Sequence, residues 1–315
     1  MKNSEHSDSE IFVITNRVYE SNENGLSFLC KINPESSLTL LKVKSNNDSL
    51  NVNIIDSAHF LTQINKVEKN LVLFIHGDSK TFEHAVLRGL EIQNLYNVKV
   101  IVFSWPSKDP FINGYSNLKL SIKNVQKSLI HFNLLLKFIS NIKNPDKEIH
   151  SERRISLFLH SLGNYYLECM VKENMRPDEH LQIFDNIIIN SAAVAQKEHK
   201  FWVEKLRCQH NIFIISNRHD FNLKGARLFV RQGKQLGELF SLPLAENAIY
   251  INFSKAVGFT FPTHLSHTFF IGEIPQKSKI INGFYYDILN SKTVDLTDTD
   301  IFIKREDGKG YDILF

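Results

Sequence analysis

Ser161, Asp220 and His267 follow one another in an order that could build a nucleophile. Ser161 comes directly after the apolar run 155–159 and His160, and is followed by Leu162, Gly163 and a helix-period segment over 164–174. A serine hydroxyl is a weak nucleophile at neutral pH and needs a base within hydrogen-bond reach. His267 would take its proton and return it to the leaving group, while Asp220 would fix the imidazole tautomer and stabilise the imidazolium. A sharp turn from strand to helix would lift the hydroxyl above a sheet and aim the Leu162 amide at a developing oxyanion. The Asp78 amide, just after His76 and Gly77, is the simplest second donor. Gly77, Trp105 and Tyr115 are the candidate lining of a substrate pocket. This chemistry needs no metal and no organic cofactor.

Each residue also has an ordinary reading. A serine two residues before a glycine is common, and its place between an apolar run and a helix is what raises it above the background. Asp220 could cap a helix over 221–229. His264 and His267 could both be surface histidines. His76 is better read as shaping its loop through a hydrogen bond than as a base. His160, next to Ser161 on a strand, is expected to point to the other side of the chain. Trp105 either packs beneath the site or lines an acyl pocket, packing being the safer guess. The combination carries the reading.

Positioning such groups takes strands. Short apolar runs recur at 71–76, 98–105, 155–160, 186–191, 211–216 and 248–253. They are near-continuous rather than alternating, as strands covered on both faces are. Helix-period segments lie between them, at 81–96, along the amphipathic stretch 116–142 and at 164–174. That alternation implies parallel strands joined by right-handed crossovers, hence an open, mostly parallel α/β sheet with helices on both faces. Chemistry in such sheets collects at the carboxyl ends of the strands. There stand His76-Gly77-Asp78, Ser104-Trp105-Pro106, His160-Ser161-Leu162-Gly163 and Asn217-Arg218-His219-Asp220, with 261–270 beyond the sixth run.

Before this core, 11–19 and 38–45 read as strands, and a turn at 22–25 precedes another at 26–32. Beyond about residue 277 the stretches 281–289, 299–307 and 310–315 suggest strands or a hairpin around a turn at 306–310. The expected organisation is a disordered start over 1–10, one α/β domain over 11–276, and a β-rich extension over 277–315 packed on the same domain. The long segment 106–142 could form a cap in which Phe111, Ile112 and Tyr115 meet an acyl chain, although a helix covering the sheet is expected for most of it.

The 315 residues are 43% hydrophobic and 11% aromatic, enough for a substantial core. The net charge of +3 comes from 37 basic and 34 acidic residues that are interspersed, so no basic stripe points to nucleic acid. The cluster Glu152-Arg153-Arg154 reads as a solvated edge. Cys30, Cys169 and Cys208 have no metal-like spacing, and an odd, sparse count fits a reducing compartment. The first ten residues hold no apolar core of a secretory signal, and no run approaches the roughly 18 apolar residues of a spanning helix. A cytoplasmic protein is expected.

The order serine, acid, histidine is that of nucleophile-elbow enzymes, and the chain resembles the alpha/beta-hydrolase superfamily. Within it, the chain resembles a poorly characterised bacterial group described as esterase- or lipase-like. The similarity rests on the stretches 11–17, 71–92, 100–107 followed by 113–115, 157–168, 215–220 and 264–270. It implies an alpha/beta-hydrolase fold with extra strands at both ends, and Ser161, Asp220 and His267 as nucleophile, acid and base. Three positions depart from the pattern. Leu159 stands where glycine is usual, Asp78 where an aromatic or apolar residue is usual, and 190–196 lacks an acid often found there. A large side chain at 159 could crowd the elbow, and a carboxylate at 78 could oppose the oxyanion.

The sequence therefore leads to a serine hydrolase acting through an acyl-enzyme on a small-molecule or acyl ester, less readily an amide. The alternative is a catalytically idle binding or interaction protein of the same fold. A nucleotide-binding α/β protein is a distant third, since no strand leads into a glycine-rich phosphate loop.

Overall fold

The central strands are buried on both faces, and this decides the architecture. A computed structural model describes residues 9–23, 25–46, 49–143, 153–175, 178–230, 233–259, 263–306, 308 and 310–314. Its strands are β1 (Ser9–Thr15), β2 (Arg17–Asn22), β3 (Gly25–Ile32), β4 (Thr39–Asn46), β5 (Ser49–Ile54), β6 (Leu71–Ile75), β7 (Lys99–Ser104), β8 (Ile155–His160), β9 (Asn186–Asn190), β10 (Asn211–Ser216), β11 (Ala248–Asn252), β12 (Phe302–Lys304) and β13 (Tyr311–Ile313). Eleven of them form one sheet in the order β12-β13-β11-β10-β9-β8-β6-β7-β1-β4-β5, while β2 and β3 pair separately. Neighbours from β1 to β13 are parallel. Antiparallel strands close both ends, β4 and β5 at one and β12 at the other. The chain thus has the expected mostly parallel sheet with extra strands at its edges.

Alternate residues of each central strand feed opposite cores. Leu71, Leu73, Ile75, Leu157 and Leu159 enter one, beneath helices Ser57–Asn65, Leu129–Ser140 and Tyr165–Lys172. Val72, Phe74 and Phe158 enter the other, beneath helices Phe82–Tyr96 and Lys279–Leu289.

Four expectations change. Ser9 and Glu10, expected to be disordered, begin β1; residues 1–8 lie outside the described residues. The stretch 11–19 is two strands, because Thr15 turns the chain at Asn16: its Oγ1 accepts from the Arg17 amide and donates to the Ser104 carbonyl. The amphipathic stretch 116–142 is two helices, Gly114–Lys127 and Leu129–Ser140. Ser128 interrupts it, its hydroxyl bonding back to the Asn124 carbonyl, which bends helices. The stretch 281–289, read as a strand, is the body of helix Lys279–Leu289. Its buried Ile281, Phe284, Tyr285, Ile288 and Leu289 share one helical face, and Ser278 caps its start. The turns at 22–25 and 306–310 include Asn24, Asp307 and Lys309, which lie outside the described residues, as do Phe261 and Pro262.

Candidate active site

The elbow forms where β8 ends. Ser161 has φ 53°, a left-handed conformation costly for a residue with a side chain, and opens the tight turn Ser161–Asn164 that leads into helix Tyr165–Lys172. Two glycines make room for it. A Cβ on Gly163 would lie 2.7 Å from the Ile75 carbonyl oxygen and 2.8 Å from that of His76; one on Gly77 would lie 2.6 Å from Ser161 Cβ. Leu159 does not crowd this crossing. It points into the core in register with Ile75 and Ile189, wholly buried. Asn164, unnoticed in the sequence, clamps the turn by donating to the carbonyls of Ser161, Leu159 and Asn190.

Asp220 combines its two readings. Oδ1 accepts from the Leu223 amide and so caps helix Phe221–Val230, while Oδ2 lies 2.6 Å from His267 Nδ1. The carboxylate is fully buried, and Asn217 steadies the histidine segment by donating to the Ser266 carbonyl. This fixes the His267 ring with Nδ1 as donor and leaves Nε2 as the basic nitrogen. Ser161 and His267 line one cavity of about 670 Å³ with Gly77, Asp78, Leu162 and Tyr115. No hydrogen bond joins Ser161 to His267 among the described residues; such pairs are often loose until substrate is bound.

His160 departs from expectation. It faces the same cavity as Ser161, because the strand's alternation ends where the chain turns left-handed. Its Nε2 lies 3.2 Å from the His267 carbonyl oxygen, and the two rings are 4.6 Å apart. Burial, then the neighbouring His267 and Arg88, hold it well below the usual imidazole range. His160 is thus a neutral donor bracing the His267 backbone. Only its adjacency to Ser161 could have hinted at this.

The loop after β6 carries Asp78. Its carboxylate accepts from Asn117 Nδ2 at 3.0 Å on one oxygen and from Ser79 Oγ at 3.0 Å on the other. Burial still raises its pKa. His76 is structural, as read: Nδ1 is 2.8 Å from the Gly77 carbonyl oxygen, and Nε2 accepts from the Trp105 amide, which requires a neutral ring. Burial pushes it well below the ordinary value. Trp105 is corrected from pocket lining to packing. It has no exposed surface, stacks on His76 and donates its indole N–H to the His76 carbonyl. Phe111 is 92% exposed and takes no part in the cavity wall.

Arg17, missed in the sequence, ties this loop to the sheet. Its guanidinium donates to the carbonyls of Lys80 and Trp105 at 2.8 and 2.6 Å and to Ser104 Oγ at 3.1 Å. Nearly all of the residue is buried, and burial lowers its pKa to about 10. A second recess of about 150 Å³ shares Leu118, Leu162, Ala193 and Ala226 with the main cavity and extends it along apolar side chains.

Among the described residues no cluster of three or more His, Cys, Asp or Glu could hold a metal ion, and no helix is long and apolar enough to cross a membrane. Neither the curated proteins nor the solved structures gave a match to the chain. A family model does match, over residues 55–260, described as an alpha/beta hydrolase of unknown function (DUF900). The span includes β6 through β11, with Asp78, Ser161 and Asp220, and stops short of His267. Sheet order, elbow and a match over most of its length agree: the chain belongs to this alpha/beta-hydrolase family of unknown function.

Proposed function

We propose that the protein is a serine hydrolase that cleaves an ester, less readily an amide, through an acyl-enzyme. The observation that carries this reading is His267 Nδ1 at 2.6 Å from the buried Asp220 carboxylate, beside a left-handed Ser161 in the same cavity. In the proposed reaction Ser161 Oγ attacks the ester carbonyl carbon as His267 Nε2 takes its proton. The tetrahedral oxyanion is met by the amides of Leu162 and Asp78. Collapse breaks the bond to the leaving oxygen, which receives the proton from His267. Water, activated by the same nitrogen, then releases the acid and frees Ser161. Asp220 stabilises the imidazolium in both halves.

Two observations weigh against the idle alternative. Leu159 packs in the core rather than into the elbow, and the Asp78 carboxylate is engaged by Asn117 and Ser79. Labelling with a fluorophosphonate tests the proposal. Wild type should be labelled and Ser161→Ala should not. A folded wild type that neither labels nor turns over simple acyl esters would overturn it.

A further inference from the structure

Two cations line the cavity without an ion pair among the described residues. Lys80 sits in the loop after β6, its backbone fixed by the Ser107 hydroxyl and by Arg17. Arg88 stands on helix Phe82–Tyr96, which is pressed on the sheet at Gly89, where a Cβ would lie 2.3 Å from Val102. Both side chains are partly buried and both line the wall that holds Ser161 and His267. Neither forms a salt bridge with a described residue. Two carboxylates lie nearby: Asp78, bonded by Asn117 and Ser79, raises Lys80 only against a larger effect of burial, and Glu91, bonded by the Gly272 amide, does the same for Arg88. The remaining ionisable groups on this wall are Tyr115 and the histidines 160, 264 and 267.

Holding like charges together in a partly buried place is unfavourable, and charged side chains are seldom buried unless paired. The cost is visible in both groups: burial lowers Lys80 to about 8, with Arg88 adding to the effect, and burial lowers Arg88 as well. A solvated surface pair would turn outward and show no such shift. A bound oxyanion would add the counter-charge that Asp78 and Glu91 supply only in part, and a guanidinium and an ammonium on one wall suit a carboxylate or phosphate. The apolar walls at Leu118, Leu162 and Ala226 take the uncharged remainder.

We infer that the Lys80–Arg88 end of the cavity is a subsite for a negatively charged group, carboxylate or phosphate, on a ligand whose other end is aliphatic. That this ligand is the substrate, an ester carrying a fixed negative charge, rests on the serine-hydrolase reading; binding of the anion does not.

Calorimetric titration of wild type with hexanoate, hexyl phosphate and hexanol separates the possibilities. Each anion-binding contact should appear as about a tenfold change in affinity. Hexanoate or hexyl phosphate should therefore bind at least about tenfold more tightly than hexanol, and less tightly as salt is added. The stronger of the two identifies the headgroup. Arg88→Gln should lose about tenfold, Arg88→Lys should keep most of the affinity, and Lys80→Gln provides a second variant on a different element. Hexanol bound as well as the anions, or both glutamine variants binding them like wild type, would overturn the subsite. Turnover of mono-4-nitrophenyl glutarate against 4-nitrophenyl butyrate keeps the two readings apart. Anion binding without turnover of either ester would leave the subsite standing and remove the hydrolase. Turnover with no preference and no anion binding would do the reverse.

Discussion

Leu159→Ala should weaken the fold without improving the elbow. The residue stands two positions before Ser161, where the resemblance leads one to expect glycine, and crowding is the natural suspicion. The structure argues otherwise: Leu159 is fully buried between Ile75 and Ile189 in one aliphatic layer, and the close approaches are made at Gly77 and Gly163. The change deletes three carbons, which at roughly 0.8 kcal/mol per buried methylene is about 2.4 kcal/mol of lost transfer free energy. The unfilled space adds to this, bringing the expectation to about 3 kcal/mol, within the roughly 2–5 kcal/mol typical of such truncations. At roughly 2–4 °C per kcal/mol, the melting midpoint should fall by roughly 6–12 °C. Scanning calorimetry of both proteins reads this directly. A midpoint within about 2 °C of wild type, or a Leu159→Gly protein that melts higher, would refute the packing argument and restore the crowding one.

Three further outcomes follow from the same geometry. Asp220→Asn keeps the helix cap but removes the charge facing His267; ester turnover should fall on the order of 10³–10⁴-fold with little change in melting, whereas Asp220→Ala should also lose about 1 kcal/mol of capping. Arg17→Met leaves the Lys80 and Trp105 carbonyls short of a donor, at about 1–3 kcal/mol for each buried group, so urea unfolding should show a loss of roughly 2–6 kcal/mol. Lys80 is held at about 8 by burial, Arg88 and Lys108, against Asp78, and faces the neutral rings of His76 and His160. Between about 8 and its ordinary 10.5 the unfolded chain holds more protons, so stability rises with pH across that window, while hexanoate affinity falls as the cation is lost. Urea unfolding and titration at both ends of the window check this, and Lys80→Gln should flatten both curves.

The sheet was legible because burial on both faces writes itself as continuous apolar runs, and six of these are β6 through β11. Their carboxyl ends were legible for the same reason, and Ser161, Asp220 and His267 do share one place in the fold. What could not be read depends on partners distant in sequence. Residues 281–289 mix aromatic and β-branched types that suit strands, and only the Ser278 cap and the i, i+3, i+4 burial reveal a helix. Ser128 breaks a continuous amphipathic pattern through a hydroxyl that bonds the preceding turn and Tyr166. Trp105 beside the site could have lined it or floored it, and the choice is made by His76, 29 positions earlier in sequence. Arg17 lies in an edge-like segment whose pattern gives no reason to bury a cation.

Arg17 also explains why the candidate oxyanion loop can hold so much charge. Its guanidinium is held by carbonyls and a hydroxyl, and forms no ion pair with a carboxylate among the described residues. It acts on His76, whose ring must stay neutral to accept from the Trp105 amide. A neutral His76 in turn fixes Trp105 beneath the loop and donates its Nδ1–H to the Gly77 carbonyl. The loop's shape beside Ser161 is therefore set in part from the start of β2 and the end of β7. Asp78 is a carboxylate on this wall, its pKa raised by burial and lowered by the Ser121 and Ser79 hydrogen bonds and by Lys80. Given the inferred anion subsite, a carboxylate at position 78 tempers its electropositive wall. Removing it with Asp78→Asn should strengthen anion binding at Lys80 and Arg88, a direction that a carboxylate acting only as an obstacle at the oxyanion site would not produce.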